Sequence, residues 1–229
     1  YDKVGLYDGI RRLMEEKPEA TTADITRVWQ HESGDFAKHM LRFLENHDEH
    51  RLNTPAFAAA NFWSTIPGMV VTSTLHDGPL MIYMGQEFGE KANEIEGYNE
   101  ADDRSSMFDF WSVETHQRWM NGGKFDGALL TPAEKEIDQF YQQLFKFVHT
   151  SDAVQHGAFF DLQYAQDTSY DAKKLYAYLR YTDSEKLLIV TNFDSKHGHE
   201  VNLQIPTLAL DMMHVKTINL SRNTYFTPP

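Results

Sequence analysis

Apolar side chains recur at nearly helical spacing through Val4, Leu6, Tyr7, Ile10 and Leu13, which predicts a first helix over residues 3–16, closed by Pro18. A second, shorter helix is expected over residues 22–31, where Thr21 offers a cap and Asp24 follows three positions on. The next apolar run, residues 40–44, has the length of a strand and stops at five ionisable or amide side chains, Glu45 to Glu49. Pro55 then opens a long stretch rich in Ala, Phe and Trp, residues 56–75, that suits a buried helix. Gly78-Pro79 breaks it, and Leu80, Met81, Ile82 and Tyr83 read as a short buried strand. Strand, helix and strand in that rhythm predict a βαβ unit and a parallel sheet.

Residues 90–127 are polar, rich in Gly, Asn and Asp, and hold Trp111 and Trp119. They read as a long irregular loop of the kind that is functional or mobile. Thr131-Pro132-Ala133-Glu134 is a helix start, with Pro in the first turn and Glu three after the cap. That helix should run to about His149, with Ile137, Phe140, Tyr141, Leu144 and Val148 on its inner face. Beyond Thr150 the period changes to short β-rich runs at residues 158–164, 175–181, 186–192 and 200–205. Thr182-Asp183-Ser184-Glu185 is the turn of an expected hairpin. The fold class is therefore α/β followed by all-β, with one domain over residues 1–150 and an antiparallel β-sandwich over 151–229.

A formal charge of −13, from 34 acidic against 21 basic residues, argues against nucleic acid or an anionic membrane as partner. A neutral polysaccharide is compatible with it. There is no cysteine, so disulfides and thiolate metal sites are excluded. No run of about 18 apolar residues is present, so nothing is expected to span a membrane. Tyr1 reads as a truncation or processing point with no signal peptide visible, which leaves the compartment open.

A buried strand that ends in Asn46-His47-Asp48 is a common way for an α/β enzyme to present catalytic groups. His47, Asp48, Glu49 and His50 could instead ligate a metal, but adjacent residues at a strand end diverge, so no metal is expected there. Arg51 either pairs with a nearby carboxylate or contacts substrate. Gln86 and Glu87 sit at the end of the next strand, where active-site residues concentrate, and Glu87 is expected to hydrogen-bond structurally, with catalysis the alternative. Phe62 and Trp63 read as core; Trp111 and Trp119 read as loop packing, with stacking on a sugar ring the alternative. His197 and His199, near Glu200, read as a solvated strand edge rather than a zinc site.

Phe43-Leu44-Glu45-Asn46-His47-Asp48 resembles Phe-x-x-Asn-His-Asp, the fourth signature region of the α-amylase family of glycoside hydrolases. Gly68 and the segment from Pro79 to Gly89, with Tyr83-Met84-Gly85-Gln86-Glu87-Phe88-Gly89, resemble that family's eighth barrel strand. Trp111 and the helix near residues 129–148 are similar to the closing part of the barrel, and residues 187–192 to a strand of the β domain after it. The resemblance implies the last part of a (β/α)8 TIM barrel followed by a β-sandwich. It makes Asp48 the transition-state stabiliser and sets His47 on a sugar hydroxyl, and Asn46 and Arg51 on the same turn are the further substrate-binding candidates. The family's nucleophilic Asp and acid/base Glu belong before Tyr1, so this chain is expected to be the C-terminal half of a retaining enzyme and inactive alone. An α-glucan is the implied partner, its linkage undecided. No cofactor is implied for these residues, and calcium stays open for the whole enzyme. The rival is a non-catalytic carbohydrate-binding or scaffold protein on the same fold. An uncovered sheet edge further predicts self-association.

Overall fold

The computed structural model describes residues 3–55, 57, 61–92, 102–108 and 113–218. The expectations for Trp111 and for residues 56 and 58–60 fall outside these. The two predicted strands do meet in parallel, at a single bridge between Arg42 and Leu80. Arg42 N–H donates to Pro79 O at 2.9 Å, and Met81 N–H donates to Arg42 O at 2.8 Å. Beyond it side chains take backbone N–H groups, that of Tyr83 being the one that would extend the ladder. Asn46 Oδ1 accepts the N–H groups of Asp48 and Glu49, and Gln86 Oε1 accepts that of Tyr83.

The first helix begins as a π turn, Lys3–Tyr7, and continues as α1, Asp8–Met14. The second is α2, Ala23–Arg27, and widens into a π turn over Val28–Ser33. The expected helix over residues 56–75 is shorter: a 3-10 turn at Phe62–Thr65 leads into α3, Ile66–Thr74. The Asn61 side chain accepts Trp63 N–H and Pro67 sits in the first turn, so a helix start lies inside the apolar stretch. Gly68 lets α3 lie directly on α1, since a Cβ there would fall 2.7 Å from Ile10 Cγ2.

The expected loop over residues 90–127 contains a helix, α4, Glu114–Met120. Arg118 pairs along it with Glu114 at 3.1 Å and across to Glu134 at 2.5 Å. Asn121, in the left-handed region, ends it. Then α5, Pro132–Thr150, follows as expected, its Thr131–Glu134 capping box closed and Ile137, Phe140, Tyr141 and Leu144 buried. A short α6, Asp152–His156, leads into the sheet.

Three antiparallel strands form that sheet: β1, Ala158–Asp161; β2, Leu175–Tyr181; and β3, Lys186–Asn192. Their register, with Tyr181 opposite both Ala158 and Lys186, confirms the predicted hairpin turn. Every residue of the central strand β2 is buried. Alternation sends Tyr176, Tyr178 and Arg180 toward the helices and Leu175, Ala177, Leu179 and Tyr181 to a second cluster. Among the described residues the expected second sheet is not formed. Val201, Leu203 and Ile205 alternate inward, but the Gln166 side-chain amide takes both N–H and C=O of Gln204 where a strand would pair. A short helix, α7, Thr207–Met212, then covers that face with Ala209.

The change of pattern near residue 150 does not interrupt packing. Tyr176, Tyr178 and Phe193 share one core with α1, α3 and α5. Asp161 Oδ2 accepts from Thr26 Oγ1 at 2.6 Å, Trp29 Nε1 at 2.8 Å and Tyr176 OH at 2.9 Å. Arg180, fully buried, donates to the carbonyls of Leu75, Ala153 and Val154. Nearby, His76 packs its ring 5.6 Å from that of Phe159. Burial, helped by the charges of Arg42 and Arg180 and opposed by Asp77, pulls the His76 imidazole down to about 3.

Two outcomes are expected. Asp161→Ala strands four donors, those of Thr26, Trp29, Tyr176 and the Gln163 N–H, and should lower the unfolding free energy by roughly 3 kcal/mol in urea titration; a loss below about 1 kcal/mol would count against the shared core. Between about 3 and the ordinary value of 6.5, the unfolded chain binds a proton at His76 that the folded chain does not. Stability should therefore fall as pH drops through that window, by at most about 1.4 kcal/mol per pH unit from this residue. His76→Gln should flatten that acid-side slope, read from urea midpoints at several pH values.

Candidate functional site

The Arg42–Leu80 bridge runs its two segments in the same direction, so residues 45–51 and 84–90 emerge together at their C-terminal ends. Ligand sites of parallel sheets concentrate at such ends. Behind the first turn lies a buried ion pair. Glu45 Oε2 accepts from Arg51 Nη1 at 2.8 Å, and Glu45 Oε1 accepts Leu52 N–H at 2.6 Å. Both side chains are out of water, Glu45 at 1% and Arg51 at 0% exposure. Burial pushes the Glu45 carboxyl above its usual range, against the pull of Arg51 and the Leu52 N–H.

The turn is fixed at two further points. Asn46 Oδ1 accepts from Asp48 N–H at 2.7 Å and Glu49 N–H at 3.0 Å. Glu49 turns inward, where Arg11 Nη1 at 2.9 Å and the Tyr7 hydroxyl at 3.1 Å donate to it. Burial, first of all, raises the Tyr7 hydroxyl far above its usual range, so it stays a donor. What remains outside is His47 and Asp48, Nε2 to Oδ2 at 3.5 Å, with 65% of the Asp48 side chain in solvent.

Arg51 needs a correction. It was expected at the substrate, and instead its guanidinium points inward, donating to Glu45, Ser105 Oγ and Met84 O. A side chain with no exposed surface cannot touch a ligand; the pairing alternative is the one realised. The sequence offered the pair, two opposite charges six residues apart, but not its inward aim.

On the second segment, Gln86 does the structural work, with Nε2 donating to the Tyr141 hydroxyl at 2.9 Å. Glu87 makes a looser contact, 3.8 Å from His116 Nε2, and its Oε2 is buried without a hydrogen-bond partner. Sequence reasoning missed Glu90. Burial works to raise its carboxyl, but the Thr115 hydroxyl at 2.7 Å and the backbone N–H groups of Ala92 and Thr115 outweigh it, so it titrates below its usual range. Glu90 thereby ties the second segment to the start of α4.

Trp119 packs on α4, its ring 5.9 Å from that of Phe88, and Phe62 and Trp63 join the core as expected. His197 and His199 fall in the turn after β3 and stand 3.2 and 3.4 Å from Asp194. The Lys196 N–H, with help from His197, pulls the Asp194 carboxyl down to about 2. Among the described residues no group of three or more His, Asp or Glu is placed to hold a metal ion. A cleft of about 380 Å³ is bordered by Asn53, Trp63, Glu90, Arg118 and Glu134, and His47 and Asp48 do not line it. No described helix is long and apolar enough to cross a membrane.

No family model matches the chain. Solved structures do match in fold. An α-amylase from Anoxybacillus aligns at TM-score 0.55 and 16% identity over 83% of this chain and 35% of that one. AmyP, in complex with maltotriose, aligns at 0.56 and 13% over 83% and 39%. A maltogenic α-amylase, AmyB from Thermotoga neapolitana, aligns at 0.52 and 18% over 82% and 37%. The chain thus carries the fold of part of α-amylase-type enzymes and spans a little over a third of their length.

Removing the Asn46 acceptor tests the turn. Asn46→Ala should cost roughly 1–2 kcal/mol in thermal or urea unfolding, because two N–H groups lose their partner, whereas Asn46→Asp should keep most of it. Equal stability of the alanine variant and the parent would show that the turn is held elsewhere.

Proposed function

We propose that this chain is the C-terminal portion of an α-amylase-type glycoside hydrolase acting on α-glucans, with Asp48 stabilising the transition state and His47 holding a sugar hydroxyl. In this reading the helical part is the end of a (β/α)8 barrel and the sheet belongs to the β domain that follows it. The observation that carries it is the exposure of Asp48. Of the three carboxylates on the turn, Glu45 and Glu49 are buried and fully engaged, while Asp48 opens to solvent. An ionised carboxylate on a rigid turn gains most when positive charge develops on a bound sugar ring. The maltotriose bound to AmyP supports an α-glucan as the ligand class.

Retaining hydrolysis needs a nucleophile and an acid/base about 5–5.5 Å apart. The proposal assigns both to a part of the enzyme outside this chain and leaves Asp48 and His47 as the contribution of these residues, with Asn46 shaping the turn. One open carboxylate also suits a carbohydrate-binding protein without catalysis.

Reducing-sugar release from soluble starch separates these. This chain alone should release none, and the chain extended upstream should be active. In the extended protein Asp48→Asn should lower kcat by about 10²–10³-fold. Hydrolysis by the isolated chain that Asp48→Asn abolishes would overturn the assignment. Maltotriose binding without activity in the extended protein would select the binding reading.

A further inference from the structure

We propose that Arg51 is a positioning residue that holds residues 102–106 as a fixed wall beside the turn carrying His47 and Asp48. The inference rests on the reading of that turn as ligand-facing. Three chain segments meet at this one side chain. Nη1 donates to Glu45 on the turn, Nη2 donates to Met84 O on the second parallel segment at 2.8 Å, and Nε donates to Ser105 Oγ at 2.9 Å. The Arg51 backbone N–H adds a fourth tie, to Asp103 O at 2.8 Å.

The guanidinium lies 4.4 Å above the Tyr83 ring, and the Tyr83 hydroxyl donates to Ser105 O at 2.7 Å. Ser105 is therefore gripped at both its hydroxyl and its carbonyl, and it is completely buried. Asp103 sits at φ +62°, in the left-handed region that aspartate enters more readily than most residues. The polar stretch expected to be a free loop is thus pinned at residues 102–106.

Only arginine can make this junction. A lysine ammonium is a single point charge, whereas the planar fork sends donors in three fixed directions while its face stacks on tyrosine. Its field also reaches Glu90, whose carboxylate holds Thr115 at the start of α4. Arg51 acts on the ligand-facing pair through the walls, not by contact.

The test uses the full chain with Arg51→Lys and Ser105→Ala. Amide hydrogen exchange is followed over residues 102–108, β2 and α5, with the His47 ring resonance in histidine-labelled protein. The expected result is about tenfold faster exchange confined to residues 102–108 and a displaced His47 resonance in Arg51→Lys. Ser105→Ala should give a smaller change of the same kind. Unchanged protection of residues 102–108 in both variants overturns the proposal. So does faster exchange everywhere, β2 and α5 included, which marks a merely structural residue. If Arg51→Lys does not fold, Ser105→Ala decides alone. Maltotriose is added in a separate arm. If it leaves the His47 resonance of the parent unmoved, the ligand reading fails, while exchange still decides the role of Arg51.

Discussion

A charge withdrawn from water has to be met inside the protein, and the Glu45–Arg51 pair sets that requirement at the end of a buried segment. Neither side chain retains access to solvent, so each remaining donor and acceptor must find a protein partner. Glu45 takes the Leu52 N–H and Arg51 takes a hydroxyl and a carbonyl, which draws the turn, the second parallel segment and residues 102–106 together. Asn46 and Glu49 tighten the same turn from within. The result is a short stretch in which Glu45, Asn46 and Glu49 are turned inward while His47 and Asp48 are turned outward.

The same logic operates across the chain at β2. A central strand buried on both faces must carry residues suited to two different surroundings. It does so by alternation, with large polar-tipped side chains toward the helices and mostly smaller apolar ones toward α7. Arg180 caps carbonyls at the end of α3 and within α6, work that a helix terminus otherwise leaves to water. Asp161 Oδ2 gathers three donors from both halves. Charged residues here behave as structural cross-links, and the formal charge of the chain gives no hint of them.

Much of this was legible in the sequence where a local rule decides the outcome. The Thr131–Glu134 box, the alternation of β2 and β3 and the four-residue turn between them are set by neighbours within a few positions, and they came out as read. The parallel sense of residues 42 and 80 was also readable, but not its brevity, because the Tyr83 N–H that would extend it turns to the Gln86 side chain. The course of residues 200–205 was hidden for a similar reason. Residues 200–205 have strand periodicity, yet one glutamine side chain, Gln166, stands in for the missing neighbour. α4 was hidden in a polar segment because its support comes from Glu134 and Phe88, distant in sequence. The polar cluster at residues 46–48 was found by type, whereas the inward aim of Arg51 could be seen only once its partners were placed.

The long reach of the contacts around β2 also bears on how the chain is made. The Thr22 hydroxyl lies within hydrogen-bond distance of Ala172 O, a partner 150 residues later, and Trp29 waits equally for Asp161. At ribosomal speeds that interval is on the order of ten seconds. Throughout it, α1 can already pack against α3, but Thr22 and Trp29, at either end of α2, lack their partners. A nascent chain of this kind leaves the anchors around α2 unmet for the whole delay, which makes that region a natural client for a chaperone at the tunnel exit.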